Sequence, residues 1–427
     1  MRVPASFTRI RCGAILTPPM NESLEALLIE YKRYKGLHLN INMSRGQPCK
    51  EQLDLSMPLL DVLDSSSSLI SEDGFDCRNY GVLTGLEECK KLFGDILKIN
   101  PKNIIIRGNS SLSIMFDCIS HAMTHGILGY TPWMKLEKPV KWLCPVPGYD
   151  RHFAITEYFG IEMINIPMKE DGPDMDLIED LIQDDSVKGV WCVPQYSNPS
   201  GITYSDEVVR RFARLKPAAK DFRIYWDDAY AAHHLYEANR DSLSNILEEC
   251  EKAGNPDLVY HFVSTSKITF PGSGVSLIAS SEANIQEIMK RMKYQIISFD
   301  KINQLRHVRF FHDAEGVEAH MKKHAAILRP KFELAEQILQ EELQGLAEWS
   351  KPKGGYFICL YVHGHAKEVI QRCRECGIIL TDAGCAFPYH KDPDNSVIRI
   401  APSCPSLEEL EKAMKILCLS VKIETKQ

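Results

Sequence analysis

The chain has 427 residues, 44% of them apolar and 25% charged, with a net charge of −7. That length and ordinary composition predict two domains with ample core, and the acidic balance, with no basic block, excludes a nucleic-acid-binding footprint. No run is long and apolar enough to span a bilayer as a helix, and the fourteen cysteines are scattered, which predicts a soluble, cytoplasmic protein with buried thiols rather than a disulfide framework.

The first twenty residues carry Arg2, Arg9 and Arg11, no acid and three prolines, and read as a plain arm rather than a targeting signal. Residues 21–34 have helical spacing (Leu24, Leu27, Leu28, Tyr31), and residues 43–48 break it as a loop. Thr84 with Glu87 predicts a capping box that opens a helix over 87–97. From about residue 100 a βα rhythm sets in. Strands are expected at 104–106, 142–146, 162–166, 189–193, 223–226, 259–263 and 275–279, with helices after most of them. This predicts an α/β fold with a mostly parallel sheet between helices. A helical stretch over 301–344 leads to a strand at 355–362, a helix at 367–376, a strand at 397–400 and a last helix from the Ser406–Glu409 capping box to about 417. These describe a smaller α+β domain. The expected division is 1–60 for the arm and part of that small domain, 61–310 for the large domain and 311–427 for the small C-terminal one. Cys373 and Cys376 form a lone C-x-x-C without the second pair a metal site needs.

Chemistry-bearing residues fall just after strands, where ligands of such sheets sit. Lys267 follows the apolar run 258–263 among Ser264, Thr265 and Ser266, and burial there would favour its nucleophilic neutral amine. Gly108-Asn109-Ser110-Ser111 opens a helix and suits either a phosphate or a simple cap. Tyr149 at a strand-to-helix turn can stack on a flat ring or pack internally. Asn198 precedes a proline and can point its amide into a cleft or merely make a turn. Asp227, in Asp227-Asp228-Ala229-Tyr230, needs a cation after a buried strand, whether an arginine or a protonated pyridine nitrogen.

Together with Ser44-Arg45-Gly46, Arg78-Asn79-Tyr80-Gly81, Asn303-Gln304-Leu305-Arg306-His307 and Ile398-Arg399-Ile400-Ala401-Pro402, these motifs follow the order of a known family. From about residue 40 onwards the chain resembles the fold-type I class I/II aminotransferases, which depend on pyridoxal phosphate (PLP), and within them a divergent bacterial-type aspartate aminotransferase subgroup. The resemblance implies a large domain with a seven-stranded-type sheet, a smaller domain, and a homodimer with shared active sites. It implies that Lys267 forms the Schiff base and moves the proton, and that Asp227 keeps the pyridine nitrogen protonated. Asn198 and Tyr230 would bond the ring hydroxyl, Tyr149 would stack on the ring, and Ser110, Ser111 and Ser264 would bind the phosphate. Tyr80 would reach the phosphate of the neighbouring subunit. Arg399 would grip the substrate α-carboxylate, and Gly46 would offer a backbone contact. Arg45, Lys301 and Arg306 are candidates for a second carboxylate. One departure stands out: where relatives carry a phosphate-binding arginine after the lysine, this chain has Pro271-Gly272-Ser273-Gly274-Val275. The activity implied is transfer of an amino group from aspartate to 2-oxoglutarate in amino-acid metabolism. Alternatives are an aromatic- or kynurenine-type aminotransferase, a PLP β-lyase, or a non-catalytic regulator that kept the fold.

Overall fold

A computed structural model describes residues 22–427, so the arm expected over 1–20 lies outside the described residues. The chain begins with α1 (Leu24–Lys35), β1 (Ile41–Asn42) and the short α2 (Lys50–Asp54), and enters its main sheet through α3 (Glu87–Leu97) and β2 (Ile104–Ile106). There follow α4 (Ser111–His125), β3 (Lys141–Val146), α5 (Asp150–Tyr158), β4 (Glu162–Lys169), β5 (Gly172–Pro173), α6 (Met175–Leu181) and β6 (Val187–Cys192). Then come α7 (Asp206–Ala213), β7 (Arg223–Asp227), α8 (Ile246–Lys252), β8 (Val259–Ser264) and β9 (Ser276–Ala279).

These strands form one sheet in the order β2-β9-β8-β7-β6-β3-β4-β5. The central pairs from β8 to β4 are parallel, β9 is antiparallel to both of its neighbours, and the two-residue β5 folds back on β4. Seven full strands with one minor addition match the expected sheet. Its central strands are apolar on both sides because both faces are covered. Along β7, Tyr225 joins a core with Ile114 and Ile119 of α4, whereas Ile224 and Trp226 join a core with Val208 and Phe212 of α7. Such alternation is the period-two signature of a strand between two helical layers.

The remaining elements are α9 (Glu282–Gln295), α10 (Lys301–Phe311), α11 (Ala314–Leu343), β10 (Glu348–Trp349), β11 (Ile358–Tyr361), α12 (Ala366–Glu375), β12 (Ile378–Ile379), β13 (Val397–Ile400) and α13 (Leu407–Lys426). β10, β11 and β13 make a small antiparallel sheet. β1 pairs in parallel with β12, and α1 buries Leu27, Tyr31 and Tyr34 in the same core as α13.

Four expectations need correction. α3 is not opened by a Thr84–Glu87 box: its cap residue is Leu86, whose N–H donates to Gln304 Oε1 of α10 at 2.8 Å. The stretch 301–344 is two helices, broken at His312 (φ 65°), after which Asp313 caps α11 by accepting from the Gly316 N–H. α9 was not expected. The final helix does carry the Ser406–Glu409 box but runs to Lys426, because Ser420 bonds back to the Ile416 carbonyl and Lys422 pairs with Glu22 and Glu342. Among the described residues every cysteine is free, all but Cys404 are buried, and no cluster suited to a metal occurs.

Candidate active site

The carboxyl ends of β2, β3, β6, β7 and β8 converge on one cavity of about 150 Å³. Ser110, Ser111, Tyr149, Asn198, Asp227, Tyr230, Ser264 and Lys267 all line it, together with Ser266, Leu112, Val193 and Ala229. Residues separated by more than 150 positions meet there because each terminates a neighbouring strand or the turn after it.

Lys267 lies in the turn after β8. Its Nζ is 4.9 Å from the centre of the Tyr230 ring and 5.9 Å from that of Tyr356. Desolvation lowers its pKa below the ordinary lysine value; Asp227 opposes the shift and Arg399 adds to it. The consequence is a larger share of neutral amine at any given pH. Asp227 ends β7 and is buried. Its Oδ2 lies 2.9 Å from His152 Nε2, while its Oδ1 is buried with no partner. His152 is itself stacked on Trp191, with ring centres 4.4 Å apart and planes at 10°. A buried carboxylate oxygen without a donor is costly, so this atom calls for a cation or N–H that a bound molecule would bring. Tyr149 stands edge-on to His152, and burial pushes its phenol up to about 12; burial raises the Tyr230 phenol as well.

At the other end of the cavity Ser110 caps α4 without using its hydroxyl, which leaves that group and the helix N-terminus available to an anion. Ser264 Oγ donates to Ser266 Oγ at 3.1 Å, and Ser266 Oγ to the Asn109 carbonyl at 3.3 Å. Asn109 in turn donates to the carbonyls of Pro271 and Gly272, tying the opening of α4 to the turn after the lysine. Among the described residues lining the cavity the sole lysine or arginine is Lys267. Sequence reading missed Ser266 and the partnership of His152 with Asp227. His152 stands three residues after Tyr149, but nothing in its spacing says that it faces a residue 75 positions away.

Arg399 reaches the site from β13. Its Nη1 donates to Asp150 Oδ1 at 2.9 Å and to Asn198 Oδ1 at 3.4 Å; its Nη2 donates to Thr381 Oγ1 at 3.1 Å and to the Ser44 carbonyl at 3.4 Å. The guanidinium lies 5.0 Å from the centre of the Phe357 ring. Gly46 sits so close to that ring that a Cβ would fall 2.7 Å from Phe357 Cζ and 2.8 Å from Tyr356 Cβ. Its lack of a side chain is thus a packing requirement. Asp150 and Thr381 are further residues that sequence reasoning missed.

Arg399 and Gly46 lie beside the cavity rather than in its lining, and four other predicted residues do not line it either. Arg45 is exposed beside Ser44. Lys301 is buried with its Nζ over the Phe75 ring, Arg306 lies on α10 with a buried, unpartnered Nε, and Tyr80 is 75% exposed. The Asn303–His307 motif instead braces the lysine turn. Asn303 donates to the carbonyls of Ser273 and Gly274, and His307 Nδ1 donates to the Asn303 carbonyl, leaving Nε2 to accept from Thr269. His233 and His320 add contacts to the carbonyls of Lys267 and Ile268.

A lysine of lowered basicity, a buried acid with one free oxygen, an anion-ready helix end and a braced guanidinium are chemically suited to an aromatic phosphate and a carboxylate. Comparison with known proteins agrees. The family described as aspartate amino-transferase matches residues 17–427. An aspartate aminotransferase of Corynebacterium glutamicum is 45% identical over 389 residues, covering 90% of this chain and 89% of that protein. A crystal structure of an aspartate transaminase from the same organism superposes with a TM-score of 0.91 at 43% identity, covering 94% of this chain and 95% of that one. An α-aminoadipate aminotransferase of Thermus thermophilus, solved with N-(5'-phosphopyridoxyl)-L-leucine, shares the fold at a TM-score of 0.71 and 17% identity, over 94% and 95% of the two chains. The architecture is that of the fold-type I transferases, and the chain belongs to the aspartate aminotransferase family.

Proposed function

We propose that the protein is a PLP-dependent aminotransferase that moves the amino group of aspartate to 2-oxoglutarate. The observation that carries this reading is the unpartnered, buried Oδ1 of Asp227 in the same cavity as Lys267. That pairing fits PLP: the carboxylate suits a protonated pyridine nitrogen, and the hydroxyls of Ser110, Ser111, Ser264 and Ser266 with the α4 N-terminus suit a phosphate. When bound, PLP supplies an aldehyde carbon for an amine and a ring that takes up the electron pair released at the substrate Cα.

This chain's own residues do the rest. Lys267 would hold the cofactor and, once freed by substrate, would move the proton between the substrate Cα and the cofactor C4′. Asp227 holds positive charge at the ring nitrogen, and His152 fixes the orientation of Asp227 through Oδ2. Tyr230 and Asn198 address the ring hydroxyl, and Tyr149 covers a ring face. Arg399 offers a planar fork to the α-carboxylate, oriented by Asn198 and Thr381. Gly46 lets the 44–46 loop close against Phe357 beneath that fork. For the second carboxylate of aspartate, Arg45 is better placed than Arg306, because it neighbours the Ser44 carbonyl that touches Arg399. The exposed ring of Tyr80 fits a homodimer in which it reaches the partner's phosphate. Among the described residues no helix is long and apolar enough to cross a membrane, in keeping with a cytoplasmic enzyme. The large domain then spans about residues 61–310, and the small domain joins residues 311–427 to the N-terminal segment up to 60.

The visible absorption of the purified holoenzyme tests the reading. Aspartate alone should bleach it and 2-oxoglutarate should restore it. Bleaching by aromatic but not acidic amino acids would overturn the substrate, and release of pyruvate and ammonia without an acceptor would overturn the reaction.

A further inference from the structure

A guanidinium has five N–H donors. In Arg399 both terminal nitrogens are already committed to protein acceptors: Nη1 to Asp150 and Asn198, Nη2 to Thr381 and the Ser44 carbonyl. Its Nε is buried without a partner. A substrate carboxylate that grips both terminal nitrogens must therefore displace something. Of the four acceptors only Asp150 is charged, and it holds the shortest of the four bonds, at 2.9 Å. It also has somewhere to go. Its side chain is 26% exposed against 5% for Arg399, and it is the first residue of α5, where the helix N-terminus favours a carboxylate that has let go.

We propose that Asp150 is a built-in counter-carboxylate of Arg399: it holds the fork in the absence of substrate, competes with the incoming α-carboxylate, and so sets the affinity of the site for carboxylate ligands. This rests on reading Arg399 as the α-carboxylate fork. Asp150 does not line the cavity and acts through Arg399. In its presence the enzyme trades tightness for release, which suits a site that must discharge one carboxylate product before binding the next substrate in each cycle.

The test is calorimetric titration of the holoenzyme with maleate and with propionate, neither of which can be transaminated. Asp150→Asn keeps an oxygen for Arg399 Nη1 but removes the competing charge, so both ligands should bind roughly tenfold more tightly. Asp150→Ser, which also suits a helix N-terminus, should act in the same direction and decides the matter if Asp150→Asn lowers the Tm. An equal gain for the two ligands places the effect at the Arg399 carboxylate. Unchanged or weaker binding in variants that melt like wild type overturns the proposal. So does a gain for maleate alone, which would put Asp150 at the far carboxylate. Arg399→Lys separates the two levels of inference: if it leaves maleate binding intact, the fork itself is wrongly assigned, whereas loss in Arg399→Lys without gain in Asp150→Asn sinks only the role of Asp150.

Discussion

The cofactor end of the site, which lines the cavity, and the carboxylate end beside it are built differently. The cofactor end comes from successive turns of one sheet, with Asp227 the last residue of β7 and Lys267 three residues past β8. Its side chains are braced from behind: His152 and Trp191 stack behind Asp227, and Asn303, His307 and His320 grip the lysine turn. The carboxylate end is assembled from Ser44, Asp150, Thr381 and Arg399, four pieces of chain that meet only on folding. A rigid sheet suits chemistry in which a small misplacement is costly. Loops and a small sheet suit a subsite that must take up and release ligands. The contrast predicts that damage at the first end lowers turnover, and damage at the second end lowers affinity.

Lys267→Ala should break the cofactor end most severely, lowering kcat/KM by about 10⁴-fold or more in a coupled assay, because the proton carrier and the attachment point are lost together. Asp227→Ala should cost about 10³-fold in kcat through loss of a preorganised charge, and it strands His152 in a buried site. Arg399→Lys should cost about 10²-fold in kcat/KM while leaving the visible absorption of the bound cofactor unchanged, since a lysine cannot reproduce the planar fork. A changed absorption spectrum in that variant would show that the two ends are not separable. Gly46→Ala must push aside Phe357 or Tyr356, and should raise KM about tenfold with little change in kcat. The smallest effect concerns pH. Cofactor capture by apoprotein needs the neutral Lys267 amine, so its rate should rise with pH through a midpoint below the ordinary lysine value. Asp227 raises the Lys267 pKa, so Asp227→Asn should move that midpoint lower still in stopped-flow measurements.

The same contrast decides what could be read in advance. The cofactor-end residues stand at or a few residues past the end of an apolar strand, and several are marked by a turn signal such as Pro147-Gly148, Asn198-Pro199 or Pro271-Gly272, so strand, turn and chemistry lie close together in the chain. Asp150 and Thr381 have no such signature. They reach Arg399 from 249 and 18 positions away, and only the folded structure brings the opening of α5 and the turn after β12 to it. The break at His312 was also hidden, since no glycine occupies the positive-φ position and only the Asp313 cap marks it. The last turns of α13 look polar and therefore terminal, yet Lys422 and Glu424 are buried and satisfied by Glu342 and Arg372 on neighbouring helices. Local propensity could not announce partners supplied by α11 and α12.

The central claim is that Lys267, in the same cavity as the free oxygen of Asp227, is the residue to which PLP is joined. Borohydride reduction of the holoenzyme followed by peptide mass spectrometry tests it directly. The phosphopyridoxyl mass should appear on the peptide that carries Lys267 and vanish in Lys267→Ala. A reduced adduct on any other lysine, or no adduct in protein that retains PLP absorbance, would contradict the account.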